Sequence, residues 1–138
     1  MSVERIRKLL HDYHEAWGRG DQETGTSFYA EDMVVHMGGN GPLSGVYHGR
    51  DAFLNDWIGR VNEYVDSWTI GGEGHEDQIL LIGDDGVLIM VYEVWTKGEK
   101  SVVTNRLGFY HFEGDKITEC YFSDMNQPEV EAFFGDLK

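Results

Sequence analysis

The sequence is poor in cysteine and has no long apolar segment. Its single cysteine, Cys120, cannot form an internal disulfide, which suits a reducing compartment. No segment approaches the ~20 apolar residues that a membrane-spanning helix needs. The first residues alternate in charge and lack the apolar block of a signal peptide. We therefore expect a cytoplasmic protein with no membrane partner.

Basic residues are also scarce. The chain has 11 lysines and arginines against 25 aspartates and glutamates, and its formal net charge is −14. Such a chain repels phosphate backbones and anionic lipids. We therefore expect no nucleic-acid partner.

Signatures of metal and nucleotide sites are missing as well. His11 and His14 are three residues apart in a helical segment, but the His-Glu-x-x-His pattern is absent, so we interpret both as part of a solvated helix face. The glycine-rich run over residues 38–41 is not followed by the Gly-Lys-Ser/Thr of a phosphate-binding loop. The sequence therefore predicts no metal and no cofactor. Cys120 is expected to be a buried, inert thiol.

The chain has enough apolar residues to fold as one domain over residues 1–138. Its length is typical of a single domain, and 41% of its residues are hydrophobic. Helical spacing predicts a first helix ending at Gly18, a second capped by Asp21, and a third over residues 50–63. Residues 33–37 are typical of a strand. Residues 38–49 hold five glycines and a proline, which predicts an irregular loop or lid.

The rest of the chain is predicted to be mostly strand. Glycine-containing turns of hairpin length separate three long strands, which indicates an antiparallel meander. The predicted strands are residues 65–71, 78–83, 87–97, 101–113 and 116–125, followed by a closing helix over residues 129–134. Because helices come first and strands afterwards, we expect an α+β domain in which helices cover one face of a bent antiparallel sheet.

The turns also predict a register for the sheet. Two-residue turns after Lys97 and Glu113 place Tyr92 opposite Asn105, and Asn105 opposite Asp124. These three polar side chains then share one row on one face of the sheet.

Alternation along the strands puts Leu107 and Phe122 on the same face, which makes it the apolar face. Burying a polar row there without hydrogen bonds is costly, so we expect the row to border a cavity. In that cavity Asp124 is a candidate general base. Alternatively, Asp124 caps the turn that leads into the closing helix.

Two further residues are candidates for the cavity. His36 precedes the glycine-rich loop, where its side chain can reach the cavity mouth, and imidazole titrates in a range that suits proton transfer. A core histidine with satisfied hydrogen bonds is the other interpretation of His36. Trp17, at the end of the first helix, is expected to line the wall of the pocket.

Four stretches carry a resemblance to a known family. They are Tyr-Ala-Glu-Asp-Met-Val-Val-His at residues 29–36, Pro-Leu-Ser-Gly-Val-Tyr-His-Gly-Arg-Asp-Ala at 42–52, Phe-Glu-Gly-Asp-Lys-Ile-Thr-Glu at 112–119 and Tyr-Phe-Ser-Asp at 121–124. With the order of the elements, they resemble the SnoaL-like polyketide cyclase branch of the nuclear transport factor 2-like superfamily, which includes ketosteroid isomerases.

The resemblance implies a cone-shaped, cystatin-like α+β fold with the N-terminal helices packed on the concave face of a bent antiparallel sheet. In polyketide cyclases of this type, an Asp at the end of the last long strand is the catalytic base, and Asp124 matches that position. The epoxide-hydrolase trio of Asp, Arg and Asp is incomplete, because the predicted register puts Arg106 on the back of the sheet.

Two functions remain open at this point. The first is a cofactor-independent isomerase, cyclase or hydrolase that transfers protons on a small hydrophobic substrate. In it Asp124 is the base, Tyr92 and Asn105 donate hydrogen bonds to a developing oxyanion, and His36 assists. The second is a non-catalytic or accessory protein of the same fold that binds a small hydrophobic ligand.

The back of the predicted sheet carries Trp95, Tyr110 and Tyr121. An exposed face with several large aromatic side chains is typical of a subunit interface, and a solvated sheet face is the other interpretation. We therefore expect a homodimer formed through this face, as the resemblance also implies.

Overall fold

The computed structural model describes residues 2–137. In chain order its elements are α1 (Val3–Gly18), α2 (Gln22–Thr26), β1 (Tyr29–Met37), β2 (Gly45–His48), α3 (Arg50–Ala52), a π-helical segment (Phe53–Ile58), α4 (Gly59–Tyr64), β3 (Ser67–Ile70), β4 (Gln78–Ile82), β5 (Gly86–Lys97), β6 (Lys100–Glu113), β7 (Lys116–Asp124) and α5 (Gln127–Phe133). No helix in this range is long and apolar enough to cross a bilayer.

The seven strands form one curved sheet that does not close into a barrel. The strand order is β2-β1-β7-β6-β5-β3, and β4 also pairs with β5. Strands β5, β6 and β7 form the predicted antiparallel meander. Because β1 and β7 run parallel, the sheet is mixed and not purely antiparallel. The α+β class is confirmed.

Helix α1 packs one face against the sheet because its apolar residues repeat at helical spacing. Its buried residues are Ile6, Leu9, Leu10, Tyr13 and Ala16. Ser2 caps the helix, since its side chain accepts a hydrogen bond from the Arg5 amide at 3.1 Å. The helix ends at Gly18, as predicted.

The glycine-rich segment is more ordered than the sequence predicts. Residues 38–44 form a loop, but Gly45–His48 form strand β2, which pairs with β1 through Val35 and Tyr47. The prediction of an irregular segment throughout residues 38–49 is therefore wrong for its C-terminal part. Pairing along β1 supplies backbone hydrogen bonds that local sequence does not reveal.

The predicted register holds in one hairpin and fails in the next. Lys97 pairs with Lys100 and Tyr92 with Asn105, as predicted. In the β6–β7 hairpin the register shifts between His111 and Phe112. Such a bulge sets two residues of one strand against one residue of its partner, or the reverse. Asp124 consequently pairs with Arg106, and its predicted pairing with Asn105 is wrong.

A one-residue shift exchanges the two faces of a strand. Strand β7 presents Cys120 to the core, as predicted. On β5 and β6, however, the buried face is the one that was expected at the back. It carries Val87, Ile89, Val91, Glu93, Trp95, Val102, Thr104, Arg106 and Tyr110.

The position of Trp17 depends on the absence of a side chain at Gly25. A Cβ atom at Gly25 would lie 2.7 Å from Cε2 and Nε1 of the Trp17 ring. We expect Gly25→Ala to lower the free energy of unfolding by about 1 kcal/mol or more, because overpacking outweighs the helix preference of alanine. Urea unfolding measures the change. Gly18→Ala is the control, since a methyl group added at Gly18 would have no neighbouring atom within 4 Å; equal effects of both substitutions would contradict the contact.

Candidate active site

Three charged side chains meet on the concave face of the sheet. Glu93 on β5, Arg106 on β6 and Asp124 on β7 form what we call the charge cluster. Arg106 Nε lies 3.3 Å from Asp124 Oδ1 and 3.6 Å from Glu93 Oε2. The exposed fractions of the three side chains are only 6–8%. One guanidinium therefore faces two buried carboxyl groups.

Neighbouring groups hold both carboxyl groups in place. The hydroxyl of Thr104 donates to Asp124 Oδ1 at 2.8 Å, and the indole N–H of Trp68 donates to Glu93 Oε1 at 2.7 Å. The backbone amide of Asp124 donates to Gln127 Oε1 at 3.0 Å. Each carboxyl group is thus fixed by an uncharged donor in addition to Arg106.

Burial and neighbouring charges shift the pKa values of Glu93 and Arg106. It raises the pKa of Glu93, and the opposing effects of Arg106 and Trp68 do not cancel the rise. Burial alone would lower the pKa of Arg106, but Glu93 and Asp124 raise it by more. Arg106 therefore stays charged, and burial makes Glu93 easier to protonate than an exposed carboxyl group.

Aromatic rings enclose the guanidinium. Cζ of Arg106 lies 4.8 Å from the centroid of the Trp57 ring, 4.9 Å from that of Trp95 and 5.7 Å from that of Phe122. Ring faces attract a cation and take the place of water around it. The enclosure explains how an arginine is tolerated in the core of a small domain.

Two cavities meet at the charge cluster. The first, the aromatic cavity, has a volume of about 540 Å³ including the space at its open mouth. Glu93 and Arg106 line it, and most of its wall is aromatic: Tyr13, Trp17, Tyr29, Phe53, Trp57, Trp68, Tyr110 and Phe122. An apolar cavity with a few converging polar groups is the usual form of a small-molecule site.

The second cavity, of about 390 Å³ including the space at its open mouth, lies beneath the loop of residues 38–44. Asp124 and Gln127 line it, whereas Glu93 lines only the aromatic cavity. Arg106, Trp57 and Phe122 line both cavities and so form the wall between them. The two carboxyl groups consequently face different spaces on either side of one arginine.

A group of hydrogen-bond donors lines another part of the aromatic cavity. The hydroxyls of Tyr13 and Tyr29 are 2.7 Å apart. Burial raises the pKa of Tyr13, Tyr29 and Tyr110, so all three hydroxyls keep their protons. Trp17 Nε1 is buried without a hydrogen-bond partner among residues 2–137. The tyrosine hydroxyls of this wall can therefore donate hydrogen bonds to an oxygen atom of a ligand, whereas the indole N–H of Trp17 lies against Gly25.

The structure places the predicted site residues on two different faces. Trp17 and Phe122 line the aromatic cavity and Asp124 lines the second cavity. Tyr92, Asn105 and Leu107 lie on the convex face, since each alternates with a buried concave residue. The prediction that Tyr92, Asn105 and Leu107 border the same cavity as Asp124 is wrong, because the bulge shifts β7 by one residue against β6.

His36 also lies on the convex face. It alternates along β1 with the buried Val35 and Met37 and pairs with Tyr121, on which its ring stacks at 4.1 Å. Its Nε2 is 2.8 Å from Glu119 Oε2. The prediction that His36 reaches the cavity mouth is therefore wrong. It is a surface histidine with a carboxylate partner.

Sequence reasoning missed Glu93, Thr104 and Arg106 as site residues. It grouped them on one face, which was correct, but assigned that face to the surface. The signal that could have corrected it is the apolar character of that face, because Ile89 and Trp95 lie on the same face of the strand as Glu93. Both faces of this meander look apolar, and only the bulge decides between them.

The functional position of His14 was missed for another reason. Its side chain is 15% exposed and lines the aromatic cavity, whereas that of His11, one turn earlier, is 71% exposed. The prediction that both histidines lie on a solvated face is wrong for His14. The difference arises because Asp77, far away in sequence, bonds to His14.

The fold and the site define a class: small α+β proteins with an aromatic cavity on the concave face of a curved sheet. The profile of the SnoaL-like domain matches residues 10–120 of this sequence. The chain therefore belongs to the SnoaL-like domain family. No curated protein matches the sequence closely enough to count as a relative.

Solved structures show the same fold at low sequence identity. Bal32a, from a soil-derived mobile gene cassette, has a TM-score of 0.81 and 17% identity over 95% of this chain and 97% of its own. A protein of unknown function with a cystatin-like fold from Xanthomonas campestris has a TM-score of 0.81 and 22% identity over 98% and 99%. TerC, co-crystallized with polyporic acid, has a TM-score of 0.75 and 11% identity over 94% and 98%.

The raised pKa of Glu93 predicts a pH-dependent effect of Glu93→Gln. A buried carboxyl group with a raised pKa contributes fully to stability below its ordinary pKa of ~4.3, and that contribution is lost as the pH rises through the raised value. Glutamine cannot ionise, so the variant loses no stability from this group as the pH rises. We therefore expect the variant to gain stability relative to the wild type as the pH rises above ~4.3.

Urea unfolding at a series of pH values measures this difference. Glu99→Gln, at an exposed position, is the control and should show no such trend. A difference that does not change with pH, or that increasingly favours the wild type at higher pH, would contradict the raised pKa of Glu93.

Proposed function

We propose that this protein is an enzyme that transfers protons on a small hydrophobic substrate without a cofactor. Glu93 is the general acid, Asp124 is the general base, and Arg106 holds both. The observation that carries the proposal is the charge cluster itself. Burying three charged groups is expensive, and a protein that only bound an apolar ligand would gain nothing from it.

The two carboxyl groups differ in the way that acid–base catalysis requires. Glu93 has a raised pKa and faces the aromatic cavity, so it can present a proton to a bound substrate. Asp124 accepts hydrogen bonds from Thr104 and Arg106 and faces the second cavity, so it can take a proton from water or substrate there. Carboxyl groups with contrasting environments are typical of paired acid and base roles.

The walls of the aromatic cavity support a hydrophobic substrate. Flat rings bury flat apolar ligands well, and Trp17 and Phe122 contribute such rings. The donors Tyr13 and Tyr29 take the role first assigned to Tyr92 and Asn105, which is to bind an oxygen on which charge develops. The co-crystallization of TerC with polyporic acid supports ligand binding in this fold.

Asp124→Asn tests the base. The probe is 5-nitrobenzisoxazole, a small flat molecule that opens to a coloured phenolate when a base removes one proton. A positioned general base typically contributes ~10²–10⁴-fold, so we expect the variant to lose at least about tenfold of the turnover. Asp136→Asn is the control, because the Asp136 side chain is 87% exposed.

Turnover by the wild type must also exceed that of free acetate at equal carboxylate concentration. The proposal fails if the wild type does not pass this threshold, or if the two asparagine variants turn the probe over equally well. Circular dichroism of all three proteins confirms that each is folded.

We also propose that the chain forms a homodimer through the convex face of the sheet. Trp95 and Tyr110, first expected at the interface, are 0% and 4% exposed within one chain and cannot contribute. Their prediction is wrong because the bulge exchanges the faces. The convex face instead exposes Val103, Phe109 and Tyr121, a set of apolar and aromatic side chains typical of an interface.

Phe109→Glu tests this dimer. Two like charges brought together at the centre of an interface oppose association, so light scattering should show a dimer for the wild type and a monomer for the variant. Met125→Glu, at an exposed apolar position in the turn after β7, should leave the dimer intact. A monomeric wild type, or a dimer that Phe109→Glu does not affect, would exclude the proposal.

A further inference from the structure

We infer that His14 and Asp77 form a binding site for a hydroxyl group on a planar apolar ring, at the edge of the aromatic cavity. The inference rests on the proposed function, whose cavity it uses, and adds the chemical class of the ligand. Nδ1 of His14 lies 2.7 Å from Asp77 Oδ2. His14 also lines the aromatic cavity. A histidine oriented by a carboxylate thus borders the space that holds the substrate.

The bond to Asp77 fixes which nitrogen carries the hydrogen. An ionised carboxylate can only accept hydrogen bonds, so Nδ1 of His14 must donate. The bond to His14 lowers the pKa of Asp77, which keeps this carboxylate ionised. In the neutral ring Nε2 is then a hydrogen-bond acceptor that points away from Asp77. Among residues 2–137, no side chain bonds to this nitrogen.

The ring of His14 is held on its other sides by aromatic neighbours. Its centroid lies 5.3 Å from that of Tyr13 and 6.2 Å from that of Tyr110, in tilted and edge-to-face arrangements. The side chain is therefore positioned before any ligand arrives. Preorganised groups lose little entropy on binding and so contribute more to affinity.

Nε2 of His14 differs from the other polar groups of the cavity because, in this tautomer, it carries no hydrogen and can only accept. Arg106 and Trp17 can only donate hydrogen bonds, and the buried tyrosines Tyr13 and Tyr29 keep their protons. The carboxyl group of Glu93 already accepts a hydrogen bond from Trp68 and faces Arg106. A ligand oxygen without a hydrogen matches these donors, whereas a ligand hydroxyl matches Nε2 of His14. The aromatic wall supplies the surface for a ring that carries this hydroxyl.

His14→Phe tests the site with two probes, 4-nitrophenol and 4-nitroanisole, below the pKa of the phenol. The two molecules differ only in whether the oxygen carries a hydrogen or a methyl group. We expect the variant to bind 4-nitrophenol about fivefold or more weakly and 4-nitroanisole within about twofold of the wild type. Absorbance titration measures both affinities. His11→Phe, at the exposed histidine one turn earlier, should change neither.

Asp77→Asn tests whether the carboxylate of Asp77 fixes the tautomer of His14, with little change in the size of the side chain. An amide can either donate to Nδ1 or accept from it, so the ring hydrogen is no longer held on Nδ1 alone and part of the population loses the acceptor at Nε2. We expect nitrogen-15 NMR to show this change of tautomer together with weaker binding of 4-nitrophenol. We expect Asp77→Glu to restore both, because it returns a carboxylate.

The inference is overturned if His14→Phe weakens both probes equally or neither, if the wild type binds no 4-nitrophenol, or if Asp77→Asn leaves the tautomer unchanged. These outcomes are distinct from failure of the proposed function. Turnover of 5-nitrobenzisoxazole, which has no hydroxyl, reports on Asp124, whereas the difference between the two nitro probes reports on His14.

Discussion

One buried arginine must balance two buried carboxyl groups, and much of this structure depends on that constraint. Arg106 lies between Glu93 and Asp124 with almost no exposure, so protein groups must replace its water. Strands β5, β6 and β7 supply the three charges, and the π-helical segment supplies Trp57 as a ring over the guanidinium. Removing Arg106 would leave both carboxyl groups without a compensating charge in the core.

The same constraint shapes the two cavities. Arg106, Trp57 and Phe122 form the wall between the aromatic cavity and the second cavity. The charge cluster therefore lies where the two cavities meet. Glu93 lines the aromatic cavity and Asp124 lines the second cavity. An acid and a base can thus act on opposite sides of one cation. His14 stands at a separate part of the aromatic cavity, fixed by Asp77.

The sequence was informative where local chemistry decides the structure. Turn residues after Lys97 predicted the β5–β6 register correctly, and helical spacing predicted the end of α1 at Gly18. The predicted β6–β7 register failed at the bulge near His111. No local sequence signal shows that a hairpin with a regular turn will change its register a few residues beyond that turn. A register shift of one residue moves side chains to the opposite face of the sheet. The bulge alone therefore put Arg106 and Asn105 on the wrong faces in the prediction, and with them the expected site and interface.

The most direct test of the account compares Arg106→Met with the triple substitution Glu93→Gln, Arg106→Met, Asp124→Asn. Breaking a buried ion pair by removing one partner typically costs about 3–5 kcal/mol, whereas replacing all of its members by uncharged side chains leaves no buried charge without a partner. Urea unfolding at neutral pH should therefore show a large loss for Arg106→Met and recovery of most of it in the triple variant. A single variant as stable as the wild type, or a triple variant no more stable than the single one, would contradict the interdependence of these three charges.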